Sequence, residues 1–135
     1  MPVIIDANIV ISSLVAGNIA DLIFSDKLKL VAPELLFIEI RKHKKELIAR
    51  SQFSEQEFEI VLSVLESRIR IIPLEEFAKF IPMAEELLND HVKDVPYIAL
   101  GLKLKYPIWS YEKRFSKIEG IECLTTEEVS KIVKS

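Results

Sequence analysis

The stretch Val3–Ser13, with the sequence VIIDANIVISS, decides how the chain begins. Its first residues, Val3–Ile5, form a β-branched run that is typical of a buried strand. Asp6 ends this run, and the segment Asn8–Ala16 that follows has helical character. The chain is therefore expected to open as a strand followed by a helix, with Asp6 at the carboxyl end of the strand.

The same alternation of strands and helices continues to the end of the sequence. Further strands are predicted at Leu30–Ala32, Ile69–Pro73, Ile108–Ser110 and Ile121–Leu124. Further helices are predicted from Pro33 to about Lys45, from a capping box at Ser54 and Glu57 to about Ser67, at Ala78–Leu88, at Val95–Leu104, and after a second capping box at Thr125 and Glu128. The pattern predicts an α/β fold with three layers, in which helices cover both faces of a five-stranded, mostly parallel sheet. We expect residues 1–135 to form one domain.

Composition excludes several classes of protein. Half of the residues are hydrophobic and 29% are charged, which is typical of a globular chain. The charge-free run Ala7–Ala20 is shorter than the roughly 20 residues of a membrane span, and no basic residue precedes the first apolar stretch as in a secretory signal. Cys123 is the only cysteine, so an intramolecular disulfide is excluded. We expect a cytoplasmic protein that does not enter a membrane.

Charge is distributed unevenly along the chain. The formal net charge of −3 is unlike that of most nucleic-acid-binding proteins, which carry an excess of Lys and Arg. However, Arg41–Lys45 is a nearly continuous basic run, and a second basic group lies at Lys103, Lys105, Lys113, Arg114 and Lys117. Local patches of this kind can hold a phosphate backbone.

Asp6 is the first candidate for a functional carboxylate. It is the only charged residue among the first 20, and open parallel sheets place their sites beyond the carboxyl ends of the strands. The structural alternative is an Asp that caps the following helix. Asn8 can either orient Asp6 or cap the helix itself.

Two further acids occupy positions that call for a partner or a cap. Helical spacing places Glu39 beside Leu36 and Ile40, where a carboxylate needs an ion pair or a metal ion. Asp94 precedes Val95 and Pro96, so the alternative for this residue is a helix N-cap.

Ser110 and Glu112 follow the fourth predicted strand. They place a hydroxyl and an acid at the carboxyl edge of the sheet, close to where Asp6 is expected. The structural alternative for Glu112 is a surface residue that pairs with nearby lysines.

Other small α/β folds are less consistent with these residues. The only glycines, Gly17, Gly101 and Gly120, form no phosphate-binding loop. A phospho-accepting receiver needs an Asp after the third strand, and Ile69–Leu74 contains none. A phosphatase with an Asp nucleophile expects a second Asp at the position of Asn8.

Taken in order, these motifs resemble a PIN domain over nearly the whole chain. In that family the first strand ends in an Asp, often with Asn or Ser nearby, and Asp6 and Asn8 stand at those places. The family's second acid is a Glu on the helix after the second strand, matched by Glu39, and its third is an Asp before a late helix, matched by Asp94. After the fourth strand the family has Ser or Thr, one residue and an Asp, but this chain has Ser110 followed by Glu112.

The resemblance implies a metal-dependent endoribonuclease of the VapC kind, which is commonly the toxin of a toxin–antitoxin pair. It implies Mg²⁺ or Mn²⁺ as cofactor, bound by Asp6, Glu39, Asp94 and Glu112, with Ser110 and Asn8 as supporting site residues. RNA as substrate, an antitoxin as partner and a homodimer are implied as well. The additional methylene of Glu112 displaces its carboxylate, so a PIN-like protein-binding module with weak or no catalysis is the alternative.

Overall fold

A parallel sheet forms the centre of the protein. The computed structural model describes residues 1–17 and 19–135. Its strands are β1 (Pro2–Ile5), β2 (Lys29–Pro33), β3 (Arg70–Ile72), β4 (Ile108–Trp109) and β5 (Cys123–Leu124). They form a five-stranded sheet in the order β3-β2-β1-β4-β5, and every pairing is parallel. The expected α/β fold is confirmed, with a fully parallel rather than a mostly parallel sheet.

Helices connect the strands. They are α1 (Ala7–Val15), α2 (Ala20–Ile23), α3 (Leu35–Lys42), α4 (Lys44–Arg50), α5 (Glu55–Arg68), α6 (Ile81–Leu88), α7 (Val95–Leu104) and α8 (Thr126–Lys134). Short 3₁₀ helices lie at Leu74–Glu76, Ala78–Phe80, Val92–Asp94 and Lys113–Lys117. Among the described residues, no helix has the length and apolar character needed to cross a membrane.

Both predicted capping boxes are present. Ser54 accepts a hydrogen bond from the backbone N–H of Glu57, and the Glu57 carboxylate accepts one from the N–H of Ser54. Thr125 and Glu128 make the same reciprocal pair at the start of α8. These pairs satisfy N–H groups that a helix start leaves without partners, which is why the sequence located both helix starts correctly.

Three local expectations were wrong. Pro33 does not start a helix but ends β2, a position that tolerates its missing N–H. The single helix expected from Pro33 to about Lys45 is interrupted at His43, whose φ of −103° and ψ of 19° depart from helical values. This break redirects the chain into α4, which packs against α1 and buries Leu47. The helix expected from Ala78 begins at Ile81, after a 3₁₀ turn.

The core lies between the sheet and its helices. Val3, Ile4 and Ile5 of the central strand are fully buried, as expected of a parallel strand covered on both faces. Trp109 is also fully buried, and its indole N–H donates to Thr126 Oγ1 at 3.0 Å. The central strand therefore reaches its carboxyl end inside the protein, and Asp6 follows it there.

Gly101 allows α7 to lie close to the edge of the sheet. A Cβ at this position would be 3.0 Å from Ile121 Cδ1 and 3.2 Å from Ile108 Cδ1. Because contacts this short are tighter than most real Cβ contacts, a larger residue would require the side chains of Ile121 and Ile108 to shift by a few tenths of an ångström. Asp94 precedes the first turn of the same helix.

Candidate active site

The sheet order places Asp6 and Ser110 side by side. In the β1 and β4 ladder Ile4 pairs with Ile108 and Ile5 with Trp109, so Asp6 and Ser110 are the next residues of two adjacent parallel strands. The backbone N–H of Asp6 donates to the Trp109 carbonyl at 3.1 Å. The central strand β1 pairs on one side with β2, the next strand in the chain, and on the other side with β4, which comes much later. Binding sites in open α/β sheets lie at the switch point where the strand order reverses in this way.

A chain of hydrogen bonds joins the side chains at this edge. Ser110 Oγ donates to Asp6 Oδ2 at 2.7 Å and accepts a hydrogen bond from the backbone N–H of Glu112 at 2.9 Å. Asp6 is 5% exposed and Ser110 is 3% exposed. Ser110 therefore fixes both the buried carboxylate and the backbone of the loop that carries Glu112.

The helix-cap alternative does not describe the two aspartates. Asp6 and Asp94 occupy the N-cap positions of α1 and α7, but neither side chain makes a capping hydrogen bond. Neither carboxylate is therefore occupied by a capping hydrogen bond at the start of its helix. Asn8 lies exposed on the first turn of α1, and Ser13 donates to Val10 O within the same helix at 2.6 Å.

Asp94 and Glu112 are held by one arginine. Arg114 Nε donates to Glu112 Oε1 at 2.8 Å, and Arg114 Nη2 donates to Asp94 Oδ2 at 3.2 Å. The surface-pair alternative for Glu112 is therefore partly correct, although its partner is an arginine rather than a lysine. Sequence reasoning had placed Arg114 in a phosphate-binding patch, but its charge is directed at the acids.

Glu39 lines a cleft that Asp6 and Asp94 also line. The cleft has a volume of about 330 Å³, and its lining includes Asp6, Asn8, Glu39 and Asp94. Glu39 Oε2 is 3.7 Å from His43 Nε2, one helical turn further along. Of the predicted site residues, the cleft thus brings four together, and Ser110 and Glu112 join them through their contacts with Asp6 and Arg114.

Burial and negative charge shift the pKa values of the acids. Burial raises the pKa of Asp6; the Ser110 hydrogen bond opposes this shift, and the charges of Asp94 and Glu112 add to it. Burial also raises the pKa of Asp94, against the opposing effect of Arg114. The Arg114 hydrogen bond lowers the pKa of Glu112. The site therefore holds more negative charge than its environment easily accommodates.

Tyr97 was missed by the sequence reasoning. It lines the cleft from α7 and is 3% exposed. Burial raises the pKa of its hydroxyl above the ordinary value, and the charges of Asp6, Glu39 and Asp94 raise it further. Tyr97 is therefore a neutral phenol within the electrostatic reach of all three acids. Its position one turn after Asp94 on the same helix was the available signal.

Cationic side chains also reach the cleft. Lys93 and Arg50 contribute to its lining, and so does His43. No chemical role is predicted for His43 from the sequence, because it has no metal-binding spacing and no obvious nucleophile beside it, but the structure places it in the cleft. Positive charge at the rim of an acidic cleft is compatible with a ligand that carries phosphate groups.

The donor set fits a divalent metal ion in its chemistry. Asp6 is a buried carboxylate that, among the described residues, makes no ion pair with Lys, Arg or His, and carboxylate oxygens are the ligands that Mg²⁺ and Mn²⁺ prefer. Within residues 1–17 and 19–135, however, no three His, Cys, Asp or Glu side chains lie close enough together to hold a metal ion. Asp94 and Glu112 are instead directed at Arg114.

Two of the four Lys and Arg side chains in the run Arg41–Lys45 pair with acids of α5. Arg41 Nη2 lies 2.5 Å from Glu66 Oε1, and Lys44 Nζ lies 3.0 Å from Glu59 Oε1. Lys42 and Lys45 are exposed and make no ion pair in the described part of the chain. Only these two lysines of the run are available to an external phosphate.

Fold and site together define an α/β protein with an acidic cleft at the switch point of a parallel sheet. A family model described as PIN domain matches residues 4–134. The chain belongs to the PIN domain family, and the expected resemblance is confirmed. No curated protein has a sequence that matches this chain.

Several solved structures share the fold. A chain of VapBC2 from Rickettsia felis, solved bound to a DNA fragment from its promoter, superposes with a TM-score of 0.66 at 13% identity, covering 93% of this chain and 98% of that one. A toxin–antitoxin complex from Klebsiella pneumoniae gives 0.65 at 15% identity, covering 92% and 97%. A Pyrobaculum aerophilum protein gives 0.66 at 12% identity, covering 100% and 91%. These identities are low, so the likeness concerns the fold.

Proposed function

We propose that the protein is a metal-dependent endoribonuclease that hydrolyses phosphodiester bonds of single-stranded or structured RNA. PIN domains are generally nucleases, and residues 1–135 act as one such domain in this proposal. The observation that carries it is the Asp6 carboxylate, which is buried at the switch point of the sheet without a cationic partner among the described residues. A buried, unpaired carboxylate beside two other acids is costly unless a cation shares it.

The proposed ligands are Asp6, Glu39 and Asp94, with Glu112 as an additional acid. A bound Mg²⁺ or Mn²⁺ supplies Lewis-acid polarisation of the phosphate and a water of lowered pKa. Ser110 keeps Asp6 in place through its 2.7 Å hydrogen bond and leaves the other carboxylate oxygen free of this contact.

The cleft supplies the binding surface in this proposal. Asn8, two residues after Asp6, contributes to its lining and can orient a ligand by hydrogen bonds. Lys93 and Arg50 at the rim attract the phosphates that flank the cleaved bond. Tyr97 keeps its proton because its pKa is raised, so its neutral hydroxyl can donate a hydrogen bond to an acid or a ligand in the cleft.

A protein partner forms part of the proposal. Two of the structural neighbours come from a VapBC pair and a toxin–antitoxin complex, and their folds match over more than nine-tenths of this chain. We infer that this chain is a VapC-like toxin of the cytoplasm, which forms a homodimer and is blocked by an antitoxin. Purification of the tagged chain from its own source cells tests this partner, if a co-purifying protein is identified and blocks cleavage of RNA.

Cleavage of a defined RNA tests the nuclease proposal. We expect purified protein to cleave single-stranded RNA with Mn²⁺ and to lose this activity after addition of a chelator. Asp6→Asn should abolish cleavage, whereas Asp26→Asn, an exposed acid in the turn before β2, should cleave like the wild type. Equal cleavage by Asp6→Asn and Asp26→Asn would show that the activity does not come from this site.

One observation favours a second candidate, a PIN-like binding module with little catalysis. The Arg114 guanidinium already pairs with Asp94 and Glu112, and among the described residues no three His, Cys, Asp or Glu side chains lie close enough together to hold a metal ion. A module of this kind would bind RNA or protein without Mn²⁺ and would cleave nothing. The same cleavage assay, combined with measurement of RNA binding in a chelator, separates the two functions.

A further inference from the structure

Arg114 joins two acids that belong to different parts of the fold. Glu112 follows β4, Asp94 immediately precedes α7, and Arg114 lies in the 3₁₀ helix Lys113–Lys117. The guanidinium reaches Glu112 through Nε and Asp94 through Nη2, at 2.8 Å and 3.2 Å. In the described part of the chain it is the only Lys or Arg that forms an ion pair with a proposed metal ligand.

The guanidinium and a divalent ion have the same requirement in this site. A guanidinium carries five donors and no acceptor, so it needs anionic oxygens in the directions that its planar fork sets. Mg²⁺ and Mn²⁺ need the same carboxylate oxygens as ligands. The two cations also repel each other at close range, so Asp94 and Glu112 cannot serve both fully at the same time.

We propose that Arg114 is a built-in competitor of the metal ion and sets the affinity of the site. It occupies Asp94 and Glu112 when the ion is absent, and it must move away for the ion to bind them. This inference rests on the proposed function, because it assumes that these acids are metal ligands.

Exposure makes such an exchange feasible. The Arg114 side chain is 41% exposed, and those of Asp94 and Glu112 are 24% and 35% exposed. Ion pairs with this much solvent contact add little to folding stability. Arg114 can therefore leave its partners and remain hydrated, while Asp6 stays buried and fixed by Ser110.

The competition predicts how metal affinity responds to loss of the Arg114 charge. Isothermal titration of the full chain with MnCl₂ should give tighter binding for Arg114→Gln than for the wild type, by about tenfold, within the usual range of coupling between two bound groups. Lys113→Gln is the matched control, because it removes the same charge from the neighbouring exposed position and should change Mn²⁺ affinity little. An Arg114 that only contributes to the fold would leave the Mn²⁺ affinity unchanged when it is replaced.

Arg114→Lys protects the test against a Gln variant that does not fold. Lysine keeps the positive charge but cannot contact both acids with a planar fork, so Mn²⁺ affinity should lie between the wild type and the Gln variant. If Arg114→Gln, or Arg114→Lys where the Gln variant fails, binds Mn²⁺ with the same affinity as the wild type and Lys113→Gln, Arg114 does not compete.

Asp6→Asn in the same titrations separates failure of this inference from failure of the proposed function. If Asp6→Asn abolishes Mn²⁺ binding but the Arg114 variants bind Mn²⁺ like the wild type, the competition is overturned and the proposed metal site stands. Absence of Mn²⁺ binding in the wild type and in all variants overturns both the metal site and the competition.

Discussion

The hydroxyl of Ser110 donates a 2.7 Å hydrogen bond to Asp6 Oδ2, and the two residues are 104 positions apart in the chain. The parallel pairing of β1 with β4 makes this contact possible, because each residue directly follows its strand. Both side chains are buried. The contact therefore depends on the pairing of β1 with β4 and holds the Asp6 carboxylate at the carboxyl end of these strands.

Replacement of Ser110 should affect stability more than its size suggests. Ser110→Ala leaves a buried carboxylate with one donor fewer and the Glu112 N–H without its acceptor. Loss of a hydrogen bond to a charged group costs about 2 kcal/mol, so the free energy of unfolding at neutral pH should fall by roughly that amount. Urea denaturation measures this change. Ser116→Ala, which loses an exposed contact with the Lys113 carbonyl, is the control and should be nearly neutral.

The positions of the strands along the chain could be predicted from local signals, whereas their order in the sheet could not. Val3–Ile5 and Ile108–Trp109 are short apolar runs, which is typical of buried strands. Both capping boxes identify a helix start from residues that lie within four positions of each other. The break at His43 could not be predicted, because it depends on the packing of α4 against α1, far away in sequence.

The candidate site was only partly accessible from the sequence. Asp6 and Ser110 could be placed together because the carboxyl ends of parallel strands share one edge. The pairing of Arg114 with Asp94 could not, because it depends on how the loop after β4 meets the start of α7. Likewise, the acids of α5 that neutralise Arg41 and Lys44 are invisible in a one-dimensional charge pattern.

Lys42 and Lys45 should carry the RNA contacts of the basic run, if the run makes any. Both are exposed and without ion pairs in the described residues, whereas Lys44 is held by Glu55 and Glu59. The double change of Lys42 and Lys45 to Gln should weaken RNA binding and reduce the slope of log K against log salt by roughly one unit per lost contact. Fluorescence anisotropy with a chelator present measures this. Lys44→Gln is the comparison, and an equal effect would contradict the assignment.

Glu112 should be a usable but displaced member of the site. Glu112→Asp shortens the side chain towards the usual PIN residue and should keep or raise cleavage, while Glu112→Ala should lower it. Misplacement by about 1 Å can change a rate by about 100-fold, so the two variants should be clearly distinguishable in initial rates of RNA cleavage. Two variants that both cleave at the wild-type rate would leave Glu112 with only its contact to Arg114.

The raised pKa of Asp6 makes the stability of the metal-free protein depend on pH. The native state binds this proton more tightly than the unfolded chain, so stability falls as the pH rises from the ordinary Asp value to the folded value, and stays reduced above it. Asp6→Asn removes this penalty and can still accept the Ser110 hydrogen bond. At pH 7 the free energy of unfolding of the metal-free variant should therefore exceed that of the wild type. The expected difference is roughly 1.4 kcal/mol for each unit by which the pKa of Asp6 is raised. Thermal melts at decreasing pH should show this advantage shrink.

Addition of Mn²⁺ should reverse the order of the two proteins. An ion that binds only the folded state adds about 2.7 kcal/mol of stability at 100 times its dissociation constant, so the wild type should melt at a higher temperature with Mn²⁺. Asp6→Asn removes the most deeply buried proposed ligand and should show little or no gain. Asp26→Asn should gain as much as the wild type, because its carboxylate lies in an exposed turn. A helix cap would behave in the opposite way, since its loss would lower the stability of the metal-free protein and leave the response to Mn²⁺ unchanged. If Mn²⁺ stabilises the wild type and Asp6→Asn equally, or stabilises neither protein, Asp6 is not a metal ligand.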